Sequence, residues 1–391
     1  MRKTSVSVLA LLVLLAVLSV PLATSAKGTT GLSVDPLTTH FAHPDFIRKG
    51  KASATPDVAG ISPTQFRKAY GISSVTHNGS GITIAIVDAC GNPGAQKDLN
   101  KYDTTFGLPA TTIKVVNPQK TTCSDPNGWG VETDLDLQMA HAVAPKAKIV
   151  LEATKSASFA NLIAGAKDAY TRQGATIVSM SFGGGEFSGE TGTGADGVFS
   201  TGNAKGVSFT ASSGDSGCGA QYPAASPFVT SVGGTSLTIQ SDGTYISESA
   251  WSGSGGGTST FESRPSYQNG FNSSSQRGIP DVAMVADPNT GVSMYDKQVG
   301  GFIVVGGTSV AAPLWAGVVA LANSGRSGTM KNADNELYNV ASNATKYAND
   351  YHDVKTGSSG GVCVAGTGYD LVTGLGSPVS NNLVPDLITA P

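Results

Sequence analysis

The sequence predicts an α/β domain with a parallel sheet flanked by helices. Three observations carry that expectation. The run Ile82-Thr83-Ile84-Ala85-Ile86-Val87-Asp88 is almost continuously apolar and ends in a carboxylate and a glycine turn. Such runs are typical of strands buried on both faces of a parallel sheet. Similar runs recur downstream, separated by segments of helical length, which is the rhythm of strand-helix-strand units. Charged residues make up only 14% of the 391 and glycines number 50, so the chain is tightly turned, yet it is too rich in β-branched runs for disorder.

In order, Ser62 and Pro63 open a short helix as cap and first residue. Residues 99–106 form a helix, 113–116 a strand, 133–142 a helix and 148–153 a strand. Then come a helix at 158–173, a strand at 175–181, a helix at 193–205 and strands at 207–211 and 228–232. The β-branched run 302–305 enters Gly306-Gly307, and 314–322 is apolar enough for a buried helix. Residues 253–257, 273–275 and 357–368 read as loops, the last lying between Asp353 and Asp370. A loop of that length invites a ligand or ion to order it.

The ends and the charge bound the setting. Arg2 and Lys3 precede an apolar run over 6–23 and the small residues Thr24-Ser25-Ala26. That order predicts a secretory signal at 1–26, with an uncleaved membrane anchor as the alternative. Residues 27–60 are polar and without period, hence a mobile leader or short pro-segment, and 61–391 is the main domain. No later segment is apolar enough to span a bilayer, so an exported protein, free of the membrane after signal cleavage, is expected. A net charge of −3 gives no reason to expect nucleic acid or an anionic surface. Cys90, Cys123, Cys218 and Cys363 become disulfide candidates with three connectivities, of which Cys90 with Cys123 closes the shortest loop. Their spacing lacks the close pairs of a zinc site.

Three places put polar groups at strand ends and helix starts, where α/β sheets keep their sites. Glu132 and Asp136 are four apart on a helix and share a face. Such a pair is either exposed at a helix N-terminus or shares a proton, while Asp134 points away toward solvent. Asp215, in Ser212-Ser213-Gly214-Asp215-Ser216-Gly217, is either a turn former or a protonated donor to an oxyanion. Ser309 follows Gly306-Gly307-Thr308 at a helix start and is either a capping residue or a nucleophile. Asp88, His141 and Ser309 would superficially suit a Ser/His/Asp hydrolase. His141, however, follows Glu132 by nine residues on the helix, so it points about half a turn away in direction, and it reads as a packed or surface histidine. His40, His43, His77 and His352 lie in loop contexts without catalytic neighbours.

Together these segments resemble the sedolisins, serine-carboxyl peptidases related in fold to subtilisin. The motifs are Glu132-x-x-x-Asp136, Ser213-Gly214-Asp215-Ser216-Gly217 and Gly307-Thr308-Ser309-x-x-x-Pro313, with Ile86-Val87-Asp88-Ala89, Ser179-Met180-Ser181-Phe182-Gly183-Gly184 and Gly368-Tyr369-Asp370-x-x-Thr373-Gly374-Leu375-Gly376-x-Pro378. They run in family order from about residue 60 to the end. The resemblance implies a subtilisin-like fold, Ser309 as nucleophile, Glu132 as general base, Asp136 as the residue that orients it and Asp215 as oxyanion donor. A glutamate base and a neutral aspartate donor both favour acid pH. Asp88 stands where a subtilisin keeps its triad aspartate and either extends the carboxylate network or stands apart from it. The resemblance also implies one structural Ca²⁺ in a C-terminal loop region, held by Asp353 and Asp370 side chains and the carbonyls of Val354, Gly366 and Gly368. Many sedolisins carry a long folded pro-domain, whereas only residues 27–60 lie between signal and domain here. The expectation is a secreted, monomeric, acid-acting endopeptidase of proteins or peptides. The alternatives are a catalytically dead binding protein on the same scaffold and a histidine-based subtilisin-like peptidase.

Overall fold

The computed structural model describes residues 35–55, 60–117, 128–192 and 194–391. The signal segment and Cys123 lie outside the described residues. The predicted strands appear as β1 (Thr83–Ala89), β2 (Lys114–Val116), β3 (Lys148–Thr154), β4 (Ile177–Met180), β5 (Ser208–Ser212) and β6 (Thr230–Ile239). Two further strands, β7 (Tyr245–Ala250) and β8 (Val282–Val285), complete an eight-stranded sheet of order β7-β6-β5-β4-β1-β3-β2, with β8 paired to β6. Every pairing is parallel except β6 with β7.

The near-continuous apolar run of β1 has the reason anticipated for it. Side chains alternate across a strand, and Ile84 and Ile86 enter one core while Ala85, Val87 and Ala89 enter the other. On the first face lie helices α1 (Trp129–Val143) and α2 (Thr308–Asn323), both buried along their whole length. On the second lie α3 (Phe159–Thr171) and α4 (Asp196–Ala204), with a cluster of aromatic rings from Phe159, Phe199, Phe209 and Tyr222. The two central helices therefore present polar residues to a dry interior, which is what a sequence rarely tolerates without function.

Two expectations are corrected. The leader is not free of the body: Ile47–Ser53 is a strand paired antiparallel with Gly301–Gly306, and His43–Pro44 pairs with Phe182–Gly185. Asp134 is not solvated. It is 1% exposed and accepts a 2.7 Å hydrogen bond from Asn92, because α1 is covered on every side rather than on one. Beyond the elements expected from sequence, the last third holds helices Ala333–Ala341, Ala344–Asp350 and Ser380–Thr389, the first two capped by Asn332 and Asn343. Cys218 and Cys363 form a disulfide, which is consistent with one of the three connectivities and ties the Asp215 loop to the C-terminal loop. No helix among the described residues is long and apolar enough to cross a membrane.

Candidate active site

Glu132 lies in the first turn of α1, which begins after Gly128 in a left-handed conformation at φ 84°. Asp136 follows one turn on, and Asp88 sits near the end of β1. All three are fully buried. Burial lifts Glu132 far above the usual carboxyl range, and the charges of Asp136 and Asp88 add to it; the Ser309 hydroxyl pulls the other way. Asp136 rises for the same reasons, burial first and Asp88 second, opposed by a 2.7 Å hydrogen bond from Ser181 Oγ. Burial lifts Asp88 to about 7. Three carboxyls in one dry site cannot all ionise, so they share protons and titrate as a unit. Asp88 thus joins the network.

Ser309 stands in the first turn of α2, after a Gly307 held at φ 111°. Pro313 has no N–H to offer the carbonyl four residues back. That carbonyl, Ser309 O, faces Ser181 Oγ at 3.4 Å. The Ser309 hydroxyl donates to Ser181 O at 3.2 Å, and neither Glu132 oxygen has a hydrogen bond of good geometry. Glu132 and Ser309 are therefore adjacent, with the hydroxyl turned aside. Apo hydrogen bonds at catalytic centres commonly tighten only with substrate.

Asp215 completes the arrangement. Its Oδ1 accepts Thr308 N–H at 2.8 Å and Thr308 Oγ1–H at 2.9 Å, while Oδ2 is buried without a hydrogen-bond partner. Burial, and after it the charge of Asp45, raises Asp215 well above its ordinary value. The shift favours the protonated form, which could donate a hydrogen bond. A Cβ on Gly307 would overlap both Asp215 Oδ2 and the carbonyl oxygen of Asp45, so glycine leaves open the point where those two oxygens meet. Ser309 N–H already donates to that Asp45 carbonyl at 3.0 Å. Ser309 N–H and the Asp215 carboxyl thus lie on either side of one carbonyl oxygen.

The subtilase family model matches residues 79–359. The chain belongs to the subtilase family, in its sedolisin branch. Kumamolisin from Bacillus sp. (strain MN-32) is 34% identical over 347 residues, 80% of this chain and 61% of its own. Sedolisin from Pseudomonas sp. (strain 101) is 31% identical over 379 residues, 86% of this chain and 63% of its own. The chain thus spans under two thirds of the length of these relatives. Among solved structures, Pseudomonas sedolisin, a serine-carboxyl proteinase complexed with two molecules of pseudo-iodotyrostatin, superposes with a TM-score of 0.75 at 28% identity, over 86% of this chain and 98% of that one. The subtilisin-like fold expected from the sequence is the observed one.

In this sedolisin the structure gathers Glu132, Asp136, Asp215 and Ser309 and adds Asp88, Thr308 and Ser181. Ser181, directly after β4, carries the only cue sequence could have offered: a hydroxyl at the carboxyl end of a buried strand. His141 is excluded from the site. It is fully buried, bonded through Nε2 to Pro109 O at 2.8 Å, and burial lowers its pKa. In the C-terminal loop, Asp353 Oδ1 accepts Gly368 N–H and Asp370 Oδ2 accepts Gly366 N–H, both at 3.0 Å. The two carboxylates therefore face the same short turn, a donor set of the hard-oxygen kind that suits Ca²⁺.

Proposed function

We propose that this sedolisin is a serine endopeptidase working in acid, with protein or peptide substrates. The observation that carries the reading is Ser309 beside a buried carboxyl cluster and a neutral Asp215, with the one buried histidine bonded elsewhere. Glu132 takes the Ser309 proton as Oγ attacks the scissile carbonyl carbon. The oxyanion receives Ser309 N–H and the Asp215 O–H. Collapse breaks the C–N bond, and Glu132 returns its proton to the leaving amine. Water then attacks the ester with Glu132 again as base, freeing the acid product and Ser309. Asp136 and Asp88 hold the cluster at a charge that lets Glu132 accept one proton and no more. Asp215 must keep its proton, so activity falls as pH rises through its titration; the carboxyl cluster must lose one, so activity also falls in strong acid.

Replacing Ser309 by Ala should lower turnover on the order of 10⁴-fold or more. A folded Ser309→Ala protein that digests denatured protein at the wild-type rate would refute the assignment and favour a dead scaffold. A pH–rate profile of Glu132→Gln that matches wild type would remove Glu132 as base. We further assign a structural Ca²⁺ to Asp353 and Asp370 with the carbonyls of Val354, Gly366 and Gly368, its chemistry being to tie down the C-terminal loop. Chelation should lower the melting temperature and added Ca²⁺ should restore it; an unchanged melting curve would count against the site. Export, by the segment ending at Ala26, and a monomeric state complete the reading.

A further inference from the structure

Three carboxyls that the proposed chemistry does not use meet in the interior. Asp98 comes from the first turn of the helix Ala95–Phe106, Asp134 from α1, and Asp296 from the end of the strand Val292–Asp296. They are 2%, 1% and 1% exposed. One oxygen from each lies within 4.8 Å of one from each of the others. No lysine, arginine or histidine among the described residues forms an ion pair with any of them. Three acids so close in a dry place repel unless something positive neutralises them.

The carboxyls are each held on one side and open on another. Asp134 Oδ2 accepts Asn92 Nδ2–H at 2.7 Å, and Asp296 Oδ1 accepts Gln298 N–H at 2.6 Å. Their other oxygens, Asp134 Oδ1 and Asp296 Oδ2, are buried without a hydrogen-bond partner. Asp98 Oδ2 accepts Lys297 N–H at 3.3 Å. The holding groups are tied in turn: Asn92 Oδ1 accepts Gly94 N–H at 2.7 Å and Gln298 Nε2–H at 2.8 Å. Amide donors thus fix the direction of each acid, as outer partners do around metal ligands. A buried acceptor left unpaired forfeits its hydration for nothing. Two of them beside a third acid point to an occupant that binds there.

We propose that Asp98, Asp134 and Asp296 form a Ca²⁺ site, separate from the C-terminal loop. Carboxylate oxygens are hard ligands and select a hard cation. Ca²⁺ takes such ligands at about 2.3–2.6 Å, so two on opposite sides stand about 5 Å apart, a span that contains the observed 4.8 Å. Mg²⁺ demands near-ideal octahedral geometry and gives up water reluctantly, so a buried three-acid site suits it less. The position gives the ion a mechanical role. α1 also carries Glu132 and Asp136, and Val292–Asp296 pairs with Gly301–Gly306, the strand that runs into the Ser309 turn. A cation held by both fastens the helix of the carboxyl cluster to the hairpin that leads to Ser309.

The test counts Ca²⁺ on the full chain near neutral pH and follows its melting temperature, with Ser309→Ala as a guard against digestion. Asp370→Asn is added to remove a ligand of the C-terminal loop. That chain should still bind one ion, and its melting temperature should rise with Ca²⁺. Asn92→Ala, which reaches the site only through Asp134, should weaken binding by about 10–100-fold. Asp134→Asn and Asp296→Asn should each weaken it at least as much and remove the rise. In chelator these two variants should melt no lower than their parent, because each takes away a repelling charge. Where Asp370→Asn harms the fold, the same substitutions without it should lower the ion count by one. A chain that binds no Ca²⁺ once Asp370 is replaced, or Asn variants that keep full affinity, would overturn the site. Asn variants that melt well below their parent in chelator would give the acids a packing role instead. Equal stabilisation by Mg²⁺ would overturn the choice of Ca²⁺.

Discussion

The carboxyl cluster around Glu132 makes stability depend on pH in a direction opposite to that of most proteins. Asp88 has no exposed surface, and burial lifts it from 3.8 to about 7. A carboxyl whose folded-state pKa is raised stabilises the fold fully below its unfolded value and loses that contribution as pH climbs through the folded one. Between the two, the unfolded chain holds one proton fewer at this site. The free energy of unfolding should therefore fall by about 1.4 kcal/mol per pH unit from this residue, or about 4 kcal/mol across the interval. That is a large share of a typical net stability of about 5–15 kcal/mol. Glu132 and Asp136 shift in the same sense and steepen the fall. The measurement is urea unfolding of Ser309→Ala protein, which removes self-digestion, at closely spaced pH from mild acid to neutrality. Asp88→Asn carries a neutral group at every pH, so its slope should be flatter by about one proton, about 1.4 kcal/mol per pH unit. Identical slopes for the two proteins, or a stability that rises toward neutrality, would refute the reasoning.

Other outcomes follow from the oxyanion hole. Asp215→Ala should lower kcat by about 10²–10³-fold, as loss of one oxyanion donor does elsewhere, while Asp215→Asn should retain much of it and carry activity further toward neutral pH, because an amide donor does not ionise. A pH–rate profile of Asp215→Asn with the wild-type alkaline limb would assign that limb to another group. Gly307→Ala places a methyl over the Asp45 carbonyl and Asp215 Oδ2 at a φ of 111°; it should abolish turnover in peptide assays even where circular dichroism shows a folded protein.

Much of this was legible in sequence because burial leaves a pattern there. The run from Ile82 to Asp88 could only be a strand covered on both faces, and the glycines before Ser309 could only be a tight turn. Asp134 was misread because a helix N-terminus is ordinarily wet, and nothing local in Trp129–Val143 says that every face is covered. That is a property of the sheet, α2, the helix Ala95–Phe106 and the strand Val292–Asp296 around it. The helices capped by Asn332 and Asn343 carried their start signals in plain view; their short length hid them among loops.

The leader is the more instructive case. Residues 41–53 have no core of their own, and most of them stay exposed. Their order comes from backbone pairing with two strands separated in sequence by more than a hundred residues, Phe182–Gly185 and Gly301–Gly306. Main-chain pairing is nearly indifferent to side-chain identity, so no periodicity reports it. What identity there is concentrates in one residue, Asp45, whose carboxyl is buried between Ser212 and Gln221. A peptidase cleft recognises substrate in the same way, by backbone along the strand and by one side chain in a pocket. Residues 41–53 are illegible as structure because what orders them, backbone pairing and one buried carboxyl, leaves no period in the sequence.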